Sequence, residues 1–196
     1  FKSSSTDIRT ILADFNSTNV DAVILDLRNN GGGALIEANR IIGLFVSSGP
    51  TVQVKQKRGY IQYYGDRKAV QVWSKPLIVL VNRYSASASE IVSGAIQDYR
   101  RGLIVGHRTF GKGTVQSLEN LSEGQIKITE SKYYRVNGMS TQNKGVVPDI
   151  ELPSTWDINT VGESSYPTAL SWDVIRPYQH KVFKMDNELI NEVVEQ

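Results

Sequence analysis

Hydrophobic positions along the chain follow two patterns, short continuous apolar runs and longer stretches with helical spacing. Three runs, 22–27, 77–81 and 103–105, are almost entirely aliphatic. Strands buried on both faces have this appearance, whereas half-exposed strands alternate apolar and polar residues. The first two runs are each followed by a turn signal and then by helical spacing. This order predicts parallel strands joined by helices.

Apolar residues that recur every three or four positions predict the helices. Three such stretches cover 7–16, 34–46 and 85–99. A fourth helix is predicted near the C-terminus, over 187–194. Together with the aliphatic runs, these stretches predict helices that flank a mostly parallel central sheet.

Alternating apolar and polar residues predict further strands, each half-exposed. The run at 51–56 alternates and leads into a polar hairpin region around Gly59 and Gly65. Two more strands are predicted over 115–118 and 125–134. The whole pattern therefore predicts an α/β fold with a mostly parallel central sheet, flanking helices and additional antiparallel strands.

A change of composition divides the chain near residue 153. Residues 154–170 are rich in Ser, Thr, Gly and Pro, which is typical of loops. We therefore expect a core domain over 1–153 and a loop-rich C-terminal extension over 154–196, which contains the last predicted helix. No internal repeat or low-complexity tract is visible in the sequence.

Composition excludes several classes of function. With 22 Lys and Arg against 20 Asp and Glu, the net charge is only +2, and no basic cluster supports nucleic-acid binding. The 196 residues include no Cys and only two His, which excludes disulfides, thiol nucleophiles and metal sites built from Cys or several His. The apolar runs are too short to span a bilayer. We expect neither a metal nor another cofactor.

Two strand-to-helix junctions carry the candidate chemistry, because free backbone N–H groups point outward where helices begin. One is the glycine-rich turn 28–33, and the other is the serine-rich stretch 82–90. Ser87, with Glu90 three residues later, fits a capping box, so Ser87 can simply cap the helix. Alternatively Ser87 is a nucleophile, and the Ala88 N–H at the positive helix end stabilises the oxyanion.

A serine nucleophile needs a general base, and here the best candidate is a lysine. Burial away from carboxylates lowers the pKa of a lysine, so that its amine can accept the serine proton. Lys112 is flanked by glycines, and no acidic residue lies between Asp98 and Glu119. If Gln116 lies near Lys112 in the fold, its side chain can orient that amine. The alternatives are a solvated turn lysine and an ordinary polar strand residue.

Two nearby features have simpler explanations. Residues 106–112 match the start of a phosphate-binding P-loop, but Gly113 stands where Ser or Thr is required, and a strand pattern follows instead of a helix. We therefore assign no nucleotide binding there. Asp98 lies about three helical turns beyond Ser87, roughly 16 Å along the axis. That is too far for the acid of a triad, so we expect Asp98 to pair with an arginine or a loop backbone.

Four motifs, in order, resemble the C-terminal processing peptidases. They are LRNNGGG at 27–33, SASASEI at 85–91, FGKGTVQ at 110–116 and KGVVPDI at 144–150. The tail, with GESSY at 162–166 and ALSWD at 169–173, is similar to the tail-specific protease subgroup of bacterial envelopes. The resemblance covers roughly residues 6–175 and implies the layered β-β-α spiral of crotonase and Clp-type proteins.

The resemblance implies a Ser-Lys serine endopeptidase that recognises and degrades proteins from their C-terminal end, without a cofactor. Matched position by position, it places the nucleophile on Ser87 and the general base on Lys112. Gln116 falls on the residue that supports the lysine.

The same resemblance implies how the oxyanion is held. Together with the Ala88 N–H, the second donor is expected in the glycine loop, from the backbone N–H of Gly32 or Gly33. Asp98 matches an acidic position of the family, which makes it a candidate supporting acid.

Partners and a location are also implied by the resemblance. Protein or peptide substrates would be bound through their C-terminal segment, a PDZ domain of the full-length parent would inspect the substrate tail, and an envelope adaptor protein would deliver substrates. The expected location is the bacterial cell envelope, in the periplasm. We expect this chain to start within the catalytic domain, with the PDZ domain outside it.

Two rival hypotheses remain open from the sequence. One is a non-catalytic peptide-binding or scaffold domain of the same fold, against which the intact Ser87, Lys112 and Gln116 count. The other is a Ser-His hydrolase with His107 as its base. The endopeptidase hypothesis further predicts that a substrate strand pairs with an exposed sheet edge, because main-chain pairing accepts many sequences.

Overall fold

The computed structural model describes residues 3–65, 69–153, 156–157 and 159–184. Within these ranges it contains the helices α1 (Ser4–Ser17), α2 (Leu35–Gly43) and α3 (Ala88–Asp98), and a short 3-10 helix at Glu163–Ser165. None of the described helices has the length and apolarity needed to cross a membrane. The helix predicted over 187–194 lies outside the described residues.

The described strands form two sheets of four strands each. The strands are β1 (Val23–Asp26), β2 (Val52–Gln56), β3 (Ile61–Tyr64), β4 (Leu77–Val81), β5 (Leu103–Gly106), β6 (Thr114–Asn120), β7 (Gln125–Tyr134) and β8 (Ile150–Glu151). The first sheet is parallel, with the order β1-β4-β5-β8, and the second is antiparallel, with the order β3-β2-β7-β6. The α/β class and the parallel sheet are thus confirmed. The antiparallel strands form a sheet of their own.

The core lies between the parallel sheet and the helices, as the aliphatic runs predict. In β4, Leu77, Val79 and Val81 are all buried, and Ile96 of α3 is fully buried as well. The prediction for β1 is partly wrong, because this strand is not buried on both faces. It lies at the edge of its sheet, where Ile24 is 62% exposed.

Three helix boundaries differ from the sequence pattern by three residues, the first being the start of α1, at Ser4 instead of residue 7. The third helix begins at Ala88 instead of residue 85, because Ser87 has a positive φ of 55° that no α-helical residue adopts. The second helix ends at Gly43 instead of residue 46. There the N–H groups of Leu44 and Phe45 donate to carbonyls three residues earlier, which tightens and ends the helix.

The described part of the C-terminal extension is irregular but makes specific contacts. Residues 139 and 174 form an isolated antiparallel bridge. The Trp172 indole N–H donates to the Ser140 carbonyl at 2.9 Å, and the Asn143 amide donates to the Leu170 carbonyl at 3.0 Å. The extension therefore lies against the turn 136–145. Its separation from a core domain stays a prediction.

Candidate active site

The two glycine- and serine-rich junctions meet at one end of the parallel sheet. Because β1 and β4 are adjacent parallel strands, the loops that follow them start side by side. Asn29 and Asn82 exchange hydrogen bonds of 2.8 and 2.9 Å, and the Ala86 N–H donates to the Asn30 carbonyl at 3.0 Å. The loop 27–34 is therefore held against the turn that precedes α3.

Gly32 packs directly on the backbone at the start of α3. Its φ is +99°, and a Cβ there would lie 2.8 Å from both the Ala88 nitrogen and the Ser87 Cβ. Its own N–H donates to the Asn30 side chain at 3.0 Å. No described residue accepts a hydrogen bond from the N–H of Ala88 or Gly33. These two N–H groups, rather than that of Gly32, are therefore available to an oxyanion.

Three serines stand at this junction, and of these only Ser87 lines the cavity that Lys112 also lines. Ser85 and Ser89 are buried, and their hydroxyls donate to the carbonyls of Leu27 and Asn30 at 2.8 and 2.9 Å. Ser87 is half-buried and lines a cavity of about 280 Å³ together with Lys112. Ser85 and Ser89 therefore hold the loop, whereas Ser87 faces the space in which a ligand can bind.

The backbone of Ser87 is strained. Its φ of 55° and ψ of −113° are unusual for a residue with a side chain. Such a conformation costs on the order of 1–3 kcal/mol and persists only where the surroundings impose it. Here the Ser87 N–H donates to the Glu90 carboxylate at 2.8 Å, and the Tyr133 hydroxyl lies 3.2 Å from the Ser87 carbonyl oxygen. These contacts hold the side chain at the cavity.

Glu90 joins the serine turn to the lysine loop. Its carboxylate is fully buried and accepts four hydrogen bonds. One oxygen accepts from the Thr109 hydroxyl at 2.6 Å and the Gly111 N–H at 2.7 Å. The other accepts from the N–H groups of Ser87 and Lys112 at 2.8 and 2.9 Å. Glu90 therefore fixes both backbone segments relative to each other.

Burial raises the pKa of Glu90 to about 7, against the opposing effect of its four hydrogen bonds. The sequence showed only the capping role of Glu90. The Ser-x-x-Glu spacing indicated the hydrogen bond between Glu90 and Ser87. No pattern in the neighbouring residues indicated that Glu90 also binds the lysine loop.

The lysine loop lies close against the turn at 142–143, which explains its two glycines. A Cβ on Gly111, whose φ is +94°, would lie 2.9 Å from the Asn143 carbonyl carbon. A Cβ on Gly113 would lie 2.7 Å from the Gln142 nitrogen. The Lys112 carbonyl accepts a hydrogen bond from the Tyr133 hydroxyl. The loop backbone is therefore held on several sides.

The side chain of Lys112 faces the same cavity as Ser87. Among the described residues, Lys112 forms no salt bridge, and the cavity lining contains no Asp or Glu. The Lys112 amine is therefore not tied to a carboxylate within the described part of the chain.

Gln116 also lines the cavity, although its amide donates to the Thr129 hydroxyl at 3.2 Å. A β-bulge lies between Val115 and Gln116, and both side chains line the cavity. Neighbours in a regular strand point to opposite faces, so the bulge accounts for this arrangement. The sequence carries no clear signal for it.

Asp98 lies at the other end of α3 and does not line the cavity. It forms a salt bridge with Arg135 and accepts a hydrogen bond from the Asn137 side chain at 2.8 Å. The expected arginine partner is confirmed. Asp98 holds the end of the helix at a distance from Ser87.

Neither histidine lines the cavity. The His107 ring lies 2.9 Å from the Leu152 carbonyl oxygen, and the His180 ring lies 3.0 Å from the Asp98 carbonyl oxygen. This placement counts against a Ser-His pair. Within the described ranges, no group of three or more His, Cys, Asp or Glu side chains could hold a metal ion.

The chain matches a known protein family and several named relatives. Residues 1–152 match the model of peptidase family S41. The chain is 46% identical over 178 residues to the tail-specific protease of Haemophilus influenzae, covering 86% of this chain and 26% of that protein. It is 38% identical over 166 residues to the carboxy-terminal-processing protease of Bartonella bacilliformis, covering 80% of this chain and 38% of that protein. The chain thus spans less than half of either relative.

A solved structure supports the same relationship. The photosystem II D1 C-terminal processing protease superposes with a TM-score of 0.70 and is 35% identical, covering 78% of this chain and 40% of that one. Mature CPAF has a TM-score of 0.63 at 19% identity, which supports the fold alone.

Proposed function

Because the chain belongs to peptidase family S41, we propose that it forms the catalytic part of a serine endopeptidase that recognises and degrades proteins from their C-terminal end. The observation that carries the proposal is the cavity that Ser87, Ala88 and Lys112 line together. The names of the relatives, tail-specific and carboxy-terminal-processing protease, support cleavage from the C-terminal end of the substrate.

In the proposed reaction, the Ser87 hydroxyl oxygen attacks the carbonyl carbon of the scissile peptide bond. The neutral Lys112 amine takes the hydroxyl proton and then donates it to the leaving amine. The N–H groups of Ala88 and Gly33 hold the oxyanion. A water, deprotonated by the same amine, hydrolyses the acyl-serine. The step needs no metal or cofactor.

The surroundings of Lys112 support its assignment as the base. The cavity lining includes Ser87 and Lys112 but no Asp or Glu, so no carboxylate of the lining competes with the Ser87 hydroxyl for the Lys112 amine. Gln116 is the residue we assign to supporting this amine from the edge strand. Asp98, by contrast, we assign to holding the C-terminal end of α3.

The neighbouring sheet edge suggests how a substrate is bound. In the described second sheet, β6 is an edge strand, and its first residues, Thr114 to Gln116, line the cavity. We infer that the substrate pairs with β6 as an additional strand, because main-chain hydrogen bonds accept many sequences.

We extend the proposal to partners and location on the strength of the family resemblance. The substrates are proteins or peptides bound through their C-terminal segment, a PDZ domain of the full-length protein inspects the tail, and an envelope adaptor delivers substrates. The proposed location is the periplasm. The share of each relative that this chain spans, 26% and 38%, leaves room for such further domains.

A serine-directed fluorophosphonate probe is expected to label Ser87 in the full-length protein, because only this serine of the junction lines the cavity. Peptide mapping by mass spectrometry would locate the label. Ser87→Ala should abolish labelling, whereas Ser122→Ala, which replaces an exposed serine outside the cavity, should retain it. Label on another serine, or labelling that persists in Ser87→Ala, would refute the proposed nucleophile.

Gly32→Ala is expected to lower kcat/KM for a peptide substrate by about 100-fold, the effect of disturbing one oxyanion donor. The new Cβ would lie 2.8 Å from the Ala88 nitrogen and would displace it. Gly31→Ala is the matched control, because a Cβ there meets nothing within 4 Å. Circular dichroism checks that both variants fold. Equal activity of the two variants would argue against an oxyanion site here.

A further inference from the structure

The C-terminal extension touches the loop that carries Lys112, although the family match ends at residue 152. The Glu163 N–H donates to the Phe110 carbonyl at 3.0 Å. The buried Arg83 guanidinium donates to the carbonyls of Thr109 and Val161, which ties the two segments together. Residues 161–163 therefore lie directly against residues 109–110.

A buried side chain extends this contact to the residue after Lys112. Gln142 is fully buried, and its side-chain oxygen accepts a hydrogen bond from the Gly113 N–H at 2.9 Å. Its side-chain nitrogen donates to the Glu163 carboxylate at 3.2 Å and lies 3.4 Å from the Asn143 side-chain oxygen. The three residues form a relay, Glu163 to Gln142 to Gly113.

The carboxylate of Glu163 determines which way the Gln142 amide points. The Glu163 side-chain oxygen accepts a hydrogen bond from the Gln142 NH₂ group, which turns that group toward Glu163. The amide oxygen is then left facing the Gly113 N–H, which needs an acceptor. With the amide reversed, an NH₂ group would face that N–H, and both donors would be unsatisfied in a buried site.

The lysine loop is thus held from two directions. Glu90 accepts from the N–H groups of Gly111 and Lys112, and Gln142 accepts from the next N–H, that of Gly113. The first anchor lies within α3, whereas the second depends on a residue of the extension. The backbone position of Lys112 therefore rests on both.

We propose that Glu163 is a positioning residue for Lys112, acting through Gln142, so that the C-terminal extension is part of the catalytic apparatus. This inference rests on the proposed function of Lys112. Neither Glu163 nor Gln142 lines the cavity, so their loss leaves substrate binding intact. It displaces the amine from Ser87 and slows the chemical step.

The test compares variants of the full-length protein in steady-state peptide cleavage. Glu163→Ala is expected to lower kcat at least tenfold and to leave KM within twofold, because a small displacement of a catalytic group has a large effect. Glu163→Gln should restore most of kcat, since its side-chain oxygen still accepts from Gln142. Glu163→Asp has a side chain that is one methylene shorter, so its carboxylate should not reach Gln142 and kcat should fall. This variant tests the proposal even if the alanine variant does not fold.

Asp173→Ala is the matched control, because Asp173 ties the same extension to Lys132 and Tyr134 of β7 rather than to the lysine loop. It should retain kcat. Any of three results would overturn the relay. These are a wild-type kcat in both Glu163→Ala and Glu163→Asp, a rise in KM in place of the fall in kcat, or an equal loss of kcat in Asp173→Ala. The Ser87→Ala variant distinguishes a failure of the relay from a failure of the proposed function. If it is inactive while Glu163→Ala is fully active, only the relay fails, and if it still cleaves, the proposed function fails as well.

Discussion

Alanine at Ser87, at Lys112 or at both positions is expected to lower kcat by the same large factor, about 10⁴-fold or more. The nucleophile has no activated form without the amine, and the amine has no proton to take without the hydroxyl. Groups that act as a unit in this way show losses that do not add. The cavity that both side chains line is the structural basis for this expectation.

The measurement is kcat for a peptide substrate with the full-length protein, for the wild type, the two single variants and the double variant. Lys57→Ala, which replaces an exposed lysine that does not line the cavity, is the control and should change kcat little. A double variant whose loss equals the product of the single losses would show that the two side chains act independently. Robust turnover by Lys112→Ala would remove the lysine from the mechanism.

Glu90→Ala is expected to cause the second large effect, a loss of both stability and activity. The substitution leaves four donors without their acceptor, two of them in buried bonds and two in part-buried ones. Each unsatisfied buried donor costs about 1–3 kcal/mol, so we expect the free energy of unfolding to fall by at least about 3 kcal/mol. The same loss releases the Ser87 turn from the Lys112 loop, so kcat should fall with it.

Urea denaturation gives the stability, and peptide cleavage at a temperature where the variant is folded gives the activity. Glu90→Gln keeps one acceptor oxygen and should lie between wild type and Glu90→Ala. Glu123→Ala replaces an exposed glutamate and should change neither quantity. If Glu90→Ala and the wild type have the same urea midpoint of unfolding, the carboxylate does not hold the two segments together.

Much of the fold was predictable because burial leaves a local mark on the sequence. The aliphatic run 77–81 matches the limits of β4 to the residue. The resemblance to C-terminal processing peptidases, based on short motifs, is confirmed by the family match and by the tail-specific protease relative. Ser87 and Lys112 could also be singled out from their neighbours. Their roles stay predictions.

Other features needed the tertiary structure. The predicted start of α3 was wrong because contacts with Gly32 and Glu90 impose the positive φ of Ser87. The helical propensity of the neighbouring residues does not reveal that φ. The exposure of Ile24 depends on which strands neighbour β1 in the sheet. The bulge that brings Val115 and Gln116 to the same cavity left no local pattern either.

The sequence by itself determined the order of the three described α-helices and of most strands, the lack of cysteine and the identity of the candidate serine and lysine. These follow from side-chain type and spacing, which act over a few residues. Only the tertiary structure decided that Glu90 bridges both loops, that Gly33 rather than Gly32 has an N–H to offer, and that Glu163 reaches Gly113 through Gln142. Apart from the local bonds of Ser87 to Glu90 and of Gly32 to Asn30, those contacts join residues 19 to 29 positions apart, and hydrogen bonds over such separations arise only after the chain has packed.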